Sequence, residues 1–366
     1  VEIAAMTKAF SPPYPTIRTD GTAVTILDQR ALPYTVEFLT LTSWQEVAEA
    51  IRTMAVRGAP LIGVTAAYGV ALSMRAAADD CALETVLTAL AATRPTAVNL
   101  RWALLRMKRR LQPLPPPMRA AAAWQEAQAI QQEDAALCQS IGEAGLPWLV
   151  AAAKRRQGEA VRILTHCNAG WVATCGIGTA LAPVYLAHAR GVAVSVWASE
   201  TRPRNQGLIT AWELGAAGIP VEVVADNAAA WLMAEGKVDL VIVGADRIAA
   251  NGDVANKVGT ALKAFAAHAY GIPFLVAAPT STFDPTCPNG AAIPIEDRGN
   301  QELTHTTVLD ETGAVRQARH YPMAIAAGPN PAFDVTPARF VTALLTEEGA
   351  IPPPLAGVWA AGRQGA

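Results

Sequence analysis

The sequence has no CxxC pair, no Walker-type phosphate loop and no long block of like charge, and each absence removes a class of protein from consideration. The cysteines, Cys81, Cys138, Cys167, Cys175 and Cys287, are odd in number and lack paired spacing. That argues against a disulfide framework and a structural zinc site and fits reduced thiols in the cytoplasm. No His, Cys, Asp or Glu set has ligand spacing on one element, so no metal is expected. Charged residues make up only 16% of the 366, and the formal net charge is −2. A chain so balanced has no global attraction for a phosphodiester backbone, and nucleic acid is not an expected partner. The longest apolar stretch near the front, 61–74, is interrupted by Thr65, Tyr68 and Ser73 and falls short of the roughly 20 residues a span needs, so no membrane helix is expected. From Val1 onward no basic segment precedes an apolar core, so no secretory signal is expected.

What is present is a change of period along the chain. Residues 16–42 read as strands with a turn at Asp20-Gly21, and Ser43-Trp44-Gln45-Glu46 reads as a capping box opening a helix. Helical spacing follows over 43–54, 61–74, 82–92, 99–111 and 118–140, with a proline-rich break at 111–117. Beyond about 158, apolar runs at 161–164, 192–197, 221–224, 240–243 and 274–277 alternate with helix-length segments at 171–189, 206–217, 227–236 and 256–270. The fold class is therefore α/β, with a C-terminal doubly wound, Rossmann-like parallel sheet. The expected domains are 1–140, a small β-sheet plus helices, and 141–366, the Rossmann-like part. The tail 351–366, rich in proline and small residues, is expected to be poorly ordered.

Three polar clusters directly follow the apolar runs: Thr165-His166-Cys167-Asn168, Glu200 to Gln206, and Gly244-Ala245-Asp246-Arg247. In an open parallel sheet these positions share one edge, where ligands bind. Cys167 in such a loop is either a core filler or an acid/base or nucleophile. Asp246, at the exit of a buried strand, is either an acid/base whose pKa desolvation raises, or a cap or ion-pair partner of Arg247 or Arg202. His166 ranks as a supporting residue, since successive residues leaving a strand face opposite ways. Arg57-Gly58-Ala59-Pro60 reads as an anion site at a helix start or as an ordinary turn, and Arg94-Pro95-Thr96 is equally open. Asn256-Lys257 is expected to open the helix over 256–270 beside Asp246, which would favour a phosphate. The basic group Arg106, Lys108, Arg109 and Arg110 reads as a solvated helix face. Gly176-Ile177-Gly178 lies about ten residues past its strand and Leu181 fills the third fingerprint position, so a dinucleotide site is not expected.

Taken together, Arg57-Gly58-Ala59-Pro60, the segment from Arg94 to Leu100, Thr165 to Gly170, Glu200 to Gly207, Gly244 to Asp253 and Asn330-Pro331-Ala332-Phe333-Asp334 resemble the methylthioribose-1-phosphate isomerase family over about 16–349. That family lies close to the regulatory subunits of the translation-initiation guanine-nucleotide exchange factor and to ribose-1,5-bisphosphate isomerases. The resemblance implies conversion of 5-methylthioribose 1-phosphate to 5-methylthioribulose 1-phosphate in methionine salvage, by a cytoplasmic, two-domain homodimer that uses neither metal nor nucleotide cofactor. It implies Asp246 as proton donor and Cys167 as second catalytic residue. Arg57, Gly58, Ala59, Arg94, Gln206, Asn256 and Lys257 match substrate-binding positions. Trp171 departs from the pattern, where a smaller residue is expected. The alternatives are a ribose-1,5-bisphosphate isomerase, for which Arg202 or Arg204 would hold the second phosphate, and a non-catalytic regulatory translation-factor-like protein.

Overall fold

The computed structural model describes residues 10–322, 325, 326 and 328–353. The expected disordered tail lies outside the described residues from 354 onward. Three strands, β1 (Ile17–Thr19), β2 (Val24–Leu27) and β3 (Phe38–Leu41), form a small antiparallel sheet. The turn between β1 and β2 is held by the Asp20 carboxylate, which accepts from the Thr22 and Ala23 amides. Helix α1 (Trp44–Arg52) opens with the capping box read from the sequence: the Ser43 hydroxyl accepts from the Glu46 amide and the Glu46 carboxylate accepts from the Ser43 amide.

Helices α2 (Ala59–Ala76), α3 (Asp80–Ala91), α4 (Val98–Leu111) and α5 (Pro116–Arg156) complete the N-terminal layer. By length and composition α2 could cross a membrane, but 78% of it is buried among α1, α3, α4 and α5, as the axis of a helical core. The basic group on α4 is not simply solvated. Arg106 grips Glu126 and Glu133 of α5 and Lys108 pairs with Glu84 of α3, so this face clamps neighbouring helices. Helix α5, expected over 118–140, runs for 41 residues, and the expected domain limit at 140 falls inside it. Its first half supplies Ala123, Ala127 and Ile130 to the core around α2, and its second half supplies Ile141, Leu146 and Leu149 to the core under the large sheet.

From there the chain alternates: β4 (Val161–His166), α6 (Ala182–Ala189), β5 (Val194–Ser199), α7 (Gln206–Ala216), β6 (Val221–Val224), α8 (Ala228–Ala234) and β7 (Leu240–Val243). After β7 come β8 (Arg247–Ala249), β9 (Val254–Lys257), α9 (Thr260–Ala269), β10 (Phe274–Ala277), β11 (Phe283–Asp284), α10 (Gln301–Thr304), β12 (His305–Leu309), β13 (Val315–Arg319), β14 (Phe333–Thr336), β15 (Ala343–Thr346) and β16 (Gly349–Ile351). The large sheet has the order β16-β15-β10-β7-β4-β5-β6, parallel except for β16. Both faces are buried, as a parallel sheet requires: Leu240 and Ile242 of β7 pack under α5, α6 and α7, while Val241 and Val243 pack under α8 and α9.

Two expected helices differ. Over 171–189, Trp171–Ala173 is a single 3-10 turn, after which the Thr174 hydroxyl accepts from the Gly176 and Gly178 amides and holds a loop until α6 begins. Over 256–270, Asn256 and Lys257 are not helical; they end β9, which pairs with β8 and β14, and the helix starts at Thr260. Cross-strand pairing to segments distant in sequence outweighs local helical spacing there.

Candidate active site

The order of the large sheet reverses at β4 and β7: the chain builds β4, β5 and β6 outward on one side, then returns to lay β7 against β4 on the other. Such a reversal leaves a crevice at the C-terminal ends of the two strands. Cys167 is the residue after β4, and Asp246 lies three residues past the end of β7. The Asp246 amide donates to the Ala255 carbonyl at 2.9 Å, which draws β9, and with it Asn256 and Lys257, alongside the carboxylate.

One cavity of about 1000 Å³, its open mouth included, is lined by Arg57, Gly58, Ala59, Arg94, Cys167, Gln206, Asp246, Asn256 and Lys257, so the expected catalytic pair and the expected substrate-binding positions share it. Gly58 is the N-cap of α2 at φ +96°, and a Cβ there would lie 2.2 Å from the Ala173 carbonyl oxygen. The chain must therefore be bare at this point for the first turn of α2, with its unpaired amides and positive dipole end, to reach the cavity. Arg57 and Arg94 each keep a buried Nε without a partner, and Gln206 keeps a buried Oε1 without one. Buried polar atoms left unpaired in this way mark where a ligand supplies the missing bonds.

The electrostatics agree. Burial pulls the Arg57 guanidinium down to about 10, and the Arg204 charge beside it acts the same way. Burial also lowers Arg94 and Lys257, yet all remain cations at neutral pH. Burial pushes the Asp246 carboxyl up to about 6, against the pull of Arg94 and Lys257. Burial and then the Asp246 charge push the Cys167 thiol up, so it keeps its proton at neutral pH. The cavity thus carries surplus positive charge along one wall and a carboxyl beside a protonated thiol on another.

Other side chains are placed differently from the simplest reading. Arg247 turns away from Asp246 to the Thr96 carbonyl and Asp284. Arg202 bonds the Pro203 and Leu303 carbonyls and is not part of the cavity wall, whereas Arg204 is. His166 is fully buried with Nε2 2.8 Å from the Val258 carbonyl oxygen, and burial followed by the Lys263 charge lowers its pKa to about 3. It is a neutral group bonded to the backbone. Trp171 is buried against Trp212 and does not line the cavity. Sequence reasoning missed Gln29, Met54 and Arg298 in the wall, and the ion-pair chain in which Glu302 bridges Arg204 at 2.9 Å and Arg298 at 3.1 Å. For Arg298 and Glu302 the only signal was charge in a segment without clear periodicity, and Gln29 and Met54 carried none. Among the described residues no group of three or more His, Cys, Asp or Glu side chains is placed to hold a metal ion.

The initiation factor 2 subunit family model matches residues 55–353. A methylthioribose-1-phosphate isomerase of Dechloromonas aromatica is 55% identical over 336 residues, covering 91% of each chain. The chain belongs to the initiation factor 2 subunit family, among its methylthioribose-1-phosphate isomerases. It is an enzyme of the isomerase class. The solved 5-methylthioribose 1-phosphate isomerase of Pyrococcus horikoshii OT3 superposes with a TM-score of 0.81 at 38% identity, covering 97% of both chains. A structure from A. fulgidus named as the delta subunit of translation initiation factor eIF-2B superposes at 0.75 with 37% identity, covering 93% of this chain and 97% of that one. The methylthioribose-1-phosphate isomerase family and the factor subunits thus share this scaffold, and the content of the cavity has to separate them.

Proposed function

We propose that the enzyme converts 5-methylthioribose 1-phosphate to 5-methylthioribulose 1-phosphate, as a step of methionine salvage in the cytoplasm. The observation that carries this reading is the meeting of Cys167 and Asp246, from adjacent strands at the sheet reversal, in a cavity walled by Arg57, Arg94, Lys257 and the start of α2. A purely regulatory subunit has no use for a thiol facing a carboxyl. Phosphate on the anomeric oxygen blocks the free-aldehyde route of ordinary aldose isomerases, so the site must open the ring and move hydrogen from C2 to C1 with the phosphate attached.

Arg57, Arg94, Lys257 and the α2 amides hold the phosphate, each charge-assisted bond worth roughly 1.5–3 kcal/mol, mostly spent on orientation. Gln206 and Asn256 orient the sugar hydroxyls, and Gly58 and Ala59 provide the close approach to the phosphate. Through Asp246, the Cys167–Asp246 pair gives its single proton to the ring oxygen as the C1–O bond breaks and takes back the proton that the 2-hydroxyl releases as the carbonyl forms at C2. Cys167 is the partner that handles the second transfer, in a crevice shielded from water. Hydrogen passing from C2 as a proton through a base would bring solvent deuterium into C1 of the product, and direct transfer would leave none.

Incubating the purified protein with 5-methylthioribose 1-phosphate should yield ketose; no ketose at any enzyme concentration would return the chain to a regulatory role. The same assay with ribose 1,5-bisphosphate tests the second reading. Arg204 is in the wall but already paired with Glu302, so the bisphosphate should turn over more slowly.

A further inference from the structure

The helix that carries Gln206 into the cavity presents a polar stripe of which the mechanism above uses Gln206 alone. Gln206, Thr210 and Glu213 fall at i, i+4 and i+7 of α7, on one face, and all three are buried. An apolar face would be the ordinary way to pack a helix against a sheet. Here the stripe meets the loop that bears the thiol. The Thr210 hydroxyl donates to the Cys167 carbonyl at 2.8 Å and accepts from the Asn168 side-chain amide at 3.1 Å. Glu213 accepts from the same amide at 2.7 Å and from the Val172 backbone at 3.2 Å. From the other side, the Cys167 amide donates to the Thr201 hydroxyl at 2.8 Å.

These bonds hold an unfavourable conformation. Cys167 has φ +65°, in the left-handed region that is costly for a residue with a side chain and persists only when its surroundings over-determine it. Both backbone polar groups of Cys167 are bonded to buried threonine hydroxyls, which supply that over-determination. The fit extends to Gly170, where a Cβ would lie 1.8 Å from Glu213 Oε1, so the loop and the stripe are in direct contact along its length.

We propose that Thr210 and Glu213 are positioning residues, whose task is to keep the Cys167 backbone in its left-handed turn and the sulfur on the cavity wall. Neither touches the substrate; they act through Cys167, and the inference rests on the catalytic role given to that thiol. The helix then couples two functions, since the N-terminal turn that presents Gln206 to the sugar is rigidly continuous with the turn that sets the thiol.

The test is Thr210→Val, which keeps the shape and removes the hydroxyl, beside Thr210→Ser, which restores it. Expected for Thr210→Val is a fall in kcat of up to about 100-fold with KM within about twofold. The rate of Cys167 alkylation by iodoacetamide, followed on its own peptide by mass spectrometry, should change several-fold. Both effects should revert in Thr210→Ser. Should Thr210→Val not fold, Thr210→Ala, which adds no methyl group where the hydroxyl was, is read in the same way. Wild-type kcat together with a wild-type alkylation rate would overturn the proposal, as would a loss of activity with alkylation unchanged. Normal turnover by Cys167→Ala would instead reject the catalytic thiol and leave the alkylation rate to judge the positioning.

Discussion

Asp246 and Cys167 act on each other's proton affinity, and their titration belongs to the pair. With the carboxyl raised to about 6 and the thiol raised above its ordinary value, the pair holds one proton across the neutral range. That is the state able both to give and to take a proton. The profile of kcat/KM against pH should therefore be a bell. Activity is lost as pH falls through about 6, when Asp246 gains its proton and the pair is fully loaded, and again at alkaline pH when the thiol empties. The substrate phosphate also titrates near 6, so the profile is read beside Lys257→Met. Removing a cation that lowers Asp246 should move the enzyme's acid limb upward and raise KM, whereas a limb due to the substrate alone would stay in place. Asp246→Asn should reduce kcat by about 10²–10⁴-fold with KM nearly unchanged, measured at the top of the bell. Gly58→Ala should cost about 3 kcal/mol or more in urea unfolding, because its Cβ would overlap the Ala173 backbone at a positive φ. Cys167, Asp246 and Arg57 were legible because each follows a run whose period marks a strand or helix end, whereas Lys257 was read as a helix start and in fact ends β9. Arg298 and Glu302 were not, since an ion pair between irregular segments leaves no period to read.

At the scale of the element, local signals decided the helices and long-range pairing decided the strands. The capping box at Ser43 and Glu46 is local, and it forms as written. Ser43→Ala should lower stability by about 1 kcal/mol in the same urea assay, with no change in kcat, since the cap is exposed and belongs to α1 alone. Strand β9 shows the opposite case. Val254–Lys257 continues into a helical pattern, yet its amides and carbonyls are taken by β8 and β14, the latter nearly eighty residues away, and no local window contains that partner. Strand β15, Ala343–Thr346, lies fully buried beside β10 and was not anticipated, because alanine and leucine carry no β preference of their own. The α6 region was read as one long helix because its apolar residues have helical spacing, and a loop bonded to a threonine hydroxyl interrupts it.

At the scale of the whole molecule, the alternation of period from 161 onward was enough to give the doubly wound sheet, since parallel strands need crossover helices on both faces. The partition of the chain was harder to read, because α5 serves both cores at once. We propose that the chain is a homodimer. Trp231, Leu262, Phe265 and Tyr270 lie exposed on or beside α8 and α9, and none of them lines the cavity. Sedimentation should give twice the 38.3 kDa chain mass, and Leu262→Glu should shift it toward the single chain; a wild-type protein sedimenting at 38.3 kDa would reject the dimer.

The 41-residue rod of α5 also restricts how the catalytic chamber can breathe. A helix anchored by its first half among α2 and α4 and by its second half beneath the sheet joins the two cores like a splint, so they cannot swing apart as on a flexible strap. A sugar phosphate must then enter without the two cores parting, past a segment of α10, β12 and β13 that is itself tied down, by Glu302 to Arg204, by the Arg202 guanidinium to the Leu303 carbonyl, by the Tyr34 hydroxyl to the Thr307 carbonyl and by Asn205 to Thr306.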